Sequence, residues 1–200
     1  MKNYIILIIV SGFCFQISGQ CLNDSSITNK SKRYKNAIDE YIIGEYKSDF
    51  DLIIALSMKG SEKNSRICKF AGFKDDKIYL NRLKISCDTC VLEVLPKNKM
   101  VVRNAEDFED VLDSLRKIEF FQLREDSFAN IDEISYESDT LTKVTISDSQ
   151  YYSFLIIKED VSRVECYAPL TLQEILPPNE KLDAFVKALF LFNDRWNELW

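Results

Sequence analysis

Tyr151-Tyr152-Ser153-Phe154-Leu155-Ile156-Ile157, followed after Lys158-Glu159-Asp160 by Val161-Ser162-Arg163-Val164-Glu165-Cys166-Tyr167, is the segment from which the architecture can be read. Successive residues of a strand point to opposite faces, so Tyr152, Phe154, Ile156, Val164 and Cys166 share one buried face. Residues 131–136 and 141–147 extend the pattern upstream, with Val144 and Ile146 on the same face, and the four segments predict an antiparallel meander. Downstream, Pro177-Pro178-Asn179 starts a helix that buries Leu182, Phe185, Val186, Leu189, Phe192 and Trp196 and runs to residue 200. Upstream, Asn104 is a candidate helix cap with Asp107 at the third helical position, and Phe108, Val111, Leu112, Leu115 and Ile118 form an apolar stripe.

The first half is more varied. Tyr34, Ile38, Tyr41 and Ile42 fall on one face of a helix predicted over 31–46, and 50–57 reads as an apolar strand. Residues 66–73 and 77–86 read as a hairpin around Lys74-Asp75-Asp76. Within it, Ile78 and Leu80 are out of phase with Leu83 and Ile85, which predicts a bulge near Asn81. Residues 91–95 and 100–103 read as a further pair turning at Pro96-Lys97-Asn98. The fold class is therefore α+β: antiparallel sheet with flanking helices, and a helix–four-strand meander–helix order in the C-terminal half. The expected organisation is a signal peptide over 1–20, a polar tether over 21–29 and one globular domain over 30–200, with a candidate sub-boundary near 103/104.

The address is written at the start. Met1-Lys2-Asn3 is a short positive opening, residues 4–15 are apolar, and Gln16-Ile17-Ser18-Gly19-Gln20 is a polar exit. That order is expected of a cleaved secretory signal. Its apolar run is shorter than the ~20 residues a membrane-spanning helix needs. The Ser-Gly-Gln ending resembles those of exported proteins of Gram-negative bacteria, so the expected location is the periplasm or the medium. Cys21 follows directly and is a candidate lipidation site, which would make the protein an outer-membrane lipoprotein. Gln20 stands where a lipidation signal has a small residue, so cleavage after Gly19 or Gln20 is favoured.

Composition excludes much chemistry. The chain has no histidine, which removes Ser-His and Cys-His nucleophile pairs and imidazole metal sites. After the signal only Gly44, Gly60 and Gly72 remain, too few and too scattered for a phosphate-binding or dinucleotide loop. No cofactor and no metal are expected. The net charge is −6, which opposes binding to nucleic acid. The charge is also uneven: residues 30–103 carry 16 basic and 10 acidic side chains, whereas 104–139 carry 3 and 12. The acids at Glu106, Asp107, Glu109, Asp110 and Asp113 suit the first turns of a helix better than a metal loop.

Cys87-Asp88-Thr89-Cys90 is the motif to weigh. A redox pair belongs at a helix start, and here Val91-Leu92-Glu93-Val94-Leu95 reaches Pro96 too soon for one. Disulfide candidates are Cys68, Cys87, Cys90 and Cys166, with Cys166 also readable as a buried thiol opposite Tyr152. Among the aromatic pairs, Phe120-Phe121, Tyr151-Tyr152 and Trp196 with Trp200, one of the two adjacent tyrosines must face outward. Tyr151 marks the candidate binding face. The expectation is a small exported, non-catalytic module that binds a protein or small ligand. An inhibitor or immunity-type protein and a thiol-disulfide exchange enzyme using Cys87 and Cys90 are the alternatives.

Overall fold

Lys74 and Lys77 close a two-residue turn in which Asp75 and Asp76 both take positive φ, 49° and 56°. Paired positive φ values match the right-handed twist of the flanking strands, and aspartate tolerates the left-handed region better than most residues. The turn joins β2 (Ser65–Lys74) to β3 (Lys77–Ser86) in an unbroken antiparallel register that sets Cys68 opposite Leu83. The computed structural model containing this hairpin describes residues 27–59, 65–86, 91–128, 133–135, 141–143 and 150–200. The predicted signal, residues 21–26 of the predicted tether with Cys21, and Cys87, Cys90, Val144 and Ile146 lie outside them; residues 27–29, expected as tether, are instead the first residues of a helix, Ile27–Tyr46.

The bulge expected near Asn81 is not in β3. Ile78 and Leu80 enter one core, and Leu83 and Ile85 enter another on the opposite face of the sheet. The change of phase reflects burial on both faces, which a one-sided alternation cannot show. The irregularity lies in the neighbouring edge instead. Both β4 (Val91–Val94) and β5 (Val101–Asn104) pair with β3, so the hairpin expected between them does not form. They are two pieces of one edge, interrupted by an excursion that carries a single 3-10 turn at Lys97–Lys99. The buried Asn81 amide donates to the Leu95 carbonyl at 3.0 Å, bonding the chain where the ladder breaks.

β1 (Leu52–Lys59) is apolar at almost every position because both its faces are covered. It pairs with β2 on one side and with β8 (Tyr151–Ile157) on the other, and β9 (Val161–Tyr167) closes that edge. The seven-stranded sheet runs β4-β3-β2-β1-β8-β9, with β5 beside β3, and every pairing is antiparallel. The predicted four-strand meander is thus split. β6 (Glu133–Ser135) and β7 (Leu141–Lys143) form a separate two-stranded sheet, and β1 takes the place beside β8. A first-half strand wins that position because its two apolar faces belong in the middle of a sheet.

Helices lie on both faces. α1 (Ile27–Tyr46) covers one, burying Ile38, Ile42 and Tyr46 over Ile53, Ala55, Cys68, Phe70, Leu83, Ile85, Leu155 and Ile157. α2 (Glu109–Lys117), α3 (Pro169–Ile175) and α4 (Glu180–Leu199) serve the other, where Phe108, Phe120, Phe154, Phe185 and Phe192 are fully buried. α4 starts where Pro177-Pro178-Asn179 placed it, and Asn179 proves to be its cap, its side-chain oxygen accepting from the Leu182 N–H at 3.0 Å. Asn104 does not cap α2 with its side chain. It precedes a 3-10 turn, Ala105–Phe108, and the α-helix begins only after Phe108 is committed to the core. Among the described residues no helix is long and apolar enough to cross a membrane.

Candidate functional site

The most polar part of the interior is a seam beneath α1. Asp39 follows Ile38 on the helix's sheet-facing side and is only 2% exposed. Its carboxylate pairs with the guanidinium of Arg163, which projects from β9 on the α1 side, opposite Leu155. Ser57 on β1 and Ser153 on β8 are register partners and both are buried, and Cys68 lies opposite Ser57 on β2. Burial pushes the Cys68 thiol up to about 12, and the negative charge of Asp39 adds to this. The Ser57 hydroxyl hydrogen-bonded to it pulls the other way. Such a thiol is neutral at physiological pH and is a packing group, not a nucleophile.

Cys166 is the mirror case. It is buried in the α4-side core opposite Tyr152, and burial pushes its thiol up to about 12. Cys68 and Cys166 are therefore free thiols on opposite faces of one sheet and cannot bridge each other. Among the described residues no group of His, Cys, Asp and Glu is arranged to hold a metal ion.

Tyr151 lies on the α1 side of β8, two residues before Ser153, and Tyr152 enters the opposite core. Tyr151 is half-buried, and the Arg66 guanidinium lies 5.3 Å from its ring centroid. Its neighbour across the strands, Tyr167, is exposed. The other aromatic pairs do not form a shared groove. Phe120 is a core residue set edge-on to Phe154 at 4.8 Å, and Trp196 is buried with its indole N–H donated to the Phe70 carbonyl at 3.0 Å.

The acidic segment is displayed on the surface. Glu106, Asp107, Glu109, Asp110, Asp113, Glu119, Glu125 and Asp126 are all exposed, alternating with the buried Phe108, Val111, Leu115 and Phe128. Asp110 pairs with Arg195 of α4 and Asp113 with Arg116. The other six carboxylates have no ion pair among the described residues.

Sequence reasoning missed the Asp39–Arg163 pair. The signals were an aspartate beside the apolar stripe Ile38–Ile42 and an arginine in the middle of an alternating strand. Neither says which partner it meets, because that depends on how α1 lies across the sheet. The whole arrangement is a seven-stranded antiparallel sheet with helices on both faces, a polar seam under one of them and an acidic outer surface. No family model matches the chain, and neither does any curated protein or solved structure.

Proposed function

We propose that the protein is an exported, non-catalytic binding module whose partner is a protein with a basic contact surface. The observation that carries this reading is the acidic surface from Glu106 to Asp126. Six exposed carboxylates without an ion pair among the described residues raise a negative potential in one place, and such a potential steers and orients a positively charged partner. The polar seam under α1 does not support a catalytic reading, since its thiol is held neutral and its carboxylate is committed to Arg163.

An inhibitor or immunity-type protein, masking the basic active site of a toxin or enzyme in the same compartment, is the form of this function that the acidic surface favours most. Affinity capture from the native envelope or medium tests it. A stoichiometric partner should be retained at low ionic strength, released by salt, and lost when Glu106, Asp107 and Glu109 are changed together to lysine. A partner indifferent to both treatments would remove the acidic surface from the mechanism. Loss of the partner in Tyr151→Ala instead would move the contact to the opposite face.

A further inference from the structure

Lys69 on β2 and Arg82 on β3 are directly opposite each other, so two cations share one spot on the α4 side of the sheet. Like charges in directly opposed positions are destabilising. The conflict is sharpened by burial: Lys69 is half-buried, and its amine is held below the usual lysine range, first by that burial and then by the charge of Arg82. In an acidic protein a carboxylate would be the ordinary remedy, yet neither cation has an ion pair among the described residues. Lys69 is held by neutral groups. Its ammonium donates to the side-chain oxygens of Asn193 at 2.5 Å and Asn197 at 2.6 Å, and lies 5.1 Å from the Trp196 ring centroid. The third ammonium N–H remains for another acceptor. Asp194 is close enough to raise the Lys69 value slightly, but its carboxylate already accepts from Asn193 at 3.2 Å. Glu93 on β4 lies opposite Lys84, not Arg82.

Beside the cations is a flat apolar platform. Trp200 stacks on Trp196 with ring centroids 4.6 Å apart and planes at 15°, and Trp196 is fixed from below by its bond to Phe70. Trp200 is 38% exposed, so its ring is presented to solvent and not used up in the core. Asn197, between the two, is exposed and keeps its amide N–H groups for a ligand.

We propose that Lys69 and Arg82 form a binding site for a small ligand that carries an oxyanion, with Asn197 as a further donor and the exposed ring of Trp200, backed by the buried Trp196, receiving the ligand's apolar portion. The like-charge pair is then a conflict kept because the ligand resolves it, as local rules are broken where a site needs them broken. A carboxylate or a phosphate has the required chemistry, since either accepts charge-assisted bonds from an ammonium and a guanidinium together. This site uses none of the acidic residues from Glu106 to Asp126 and does not depend on the partner proposed for them.

Trp196 and Trp200 are the two tryptophans of the chain, so intrinsic tryptophan fluorescence reads this site alone. Purified protein titrated with sodium benzoate and with sodium phosphate, against sodium chloride at matched ionic strength, should show a saturable change with at least one of the two anions. Saturation by benzoate alone identifies a carboxylate on a ring, and by phosphate alone a phosphorylated ligand. Arg82→Gln should weaken the response by about tenfold, the weight of one charge-assisted hydrogen bond, while Arg82→Lys largely retains it. Thermal stability of Arg82→Gln without ligand should stay level or rise, because repulsion has been removed; a purely structural Arg82 would lower it. No saturable change up to about 50 mM of either anion, far above a weak ~1 mM affinity, overturns the proposal. A response that Arg82→Gln leaves untouched overturns it equally.

Discussion

The two faces of this sheet are built on different principles. On the α4 side the core is apolar and aromatic: Phe154 is edge-on to Phe120, Phe185 and Phe192, and Phe108 joins Phe73 to Phe192. On the α1 side the apolar core of Ile38, Ile42, Phe70 and Leu155 is continuous with the seam of Asp39, Arg163, Ser57, Ser153 and Cys68. An apolar contact stabilises wherever it fits, whereas a buried ion pair is worth little beyond its desolvation cost and is intolerant of a missing partner. Apolar packing on both faces supplies stability, the α1 side through Tyr46, Phe50 and Phe70 among others. The polar seam sets where α1 must lie, since only one placement puts Asp39 over Arg163.

Four measurements test the contrast between the faces. The largest effect is expected on the aromatic face, where Phe154→Ala should cost about 3–5 kcal/mol in denaturant unfolding, because three neighbouring rings lose a partner. A loss below about 1 kcal/mol would show that the core collapses around the gap. On the polar face Asp39→Ala should cost about 3 kcal/mol by leaving the Arg163 guanidinium without its carboxylate, and adding Arg163→Met should recover most of that loss. If the double variant is no better than the single one, the pair is not acting as a unit.

Alkaline pH addresses both faces through their thiols. Both folded-state values, pushed up to about 12, lie above the ~8.5 of an unfolded cysteine, so the unfolded chain loses these protons first. The stability each thiol contributes is complete below that unfolded value and is lost as pH rises toward 12. Equilibrium unfolding across this interval should fall with pH, and Cys68→Ala and Cys166→Ala should each flatten the slope; an unchanged slope in both would assign the loss elsewhere. The smallest effect is at the end of α2, where Glu119 takes a positive φ of 55°. Glu119→Gly should gain a few tenths of a kcal/mol, seen as a small rise in melting temperature, because glycine accepts that conformation without a Cβ clash.

Legibility followed the same division. Strands and helices with one buried face were readable: 151–157, 161–167 and the last helix, Glu180–Leu199, lie where their periodicities put them, the helix starting directly after Pro177-Pro178-Asn179. Elements buried on both faces misled. Ile78-Tyr79-Leu80 and Leu83-Lys84-Ile85 looked like a strand that slips, when they were a strand serving two cores. The short α3 was missed because Pro169-Leu170-Thr171-Leu172 has too few turns to show a period. The Lys69–Arg82 site was invisible for another reason. Both residues look like ordinary surface cations until the hairpin register sets them face to face and α4 brings two asparagines and two tryptophans beside them.

Local pattern was enough for the α+β class, the two hairpins 66–86 and 151–167, the buried face of the last helix and the acidity of the middle segment. All of these rest on patterns within a few residues of one another, where backbone geometry alone relates position to direction. Long-range packing set β1 beside β8, put α1 and α4 on opposite faces, and brought Asp39 to Arg163. Those outcomes depend on which apolar surfaces cover each other across more than a hundred residues. Local periodicity says that a face is to be buried, and it does not say by what.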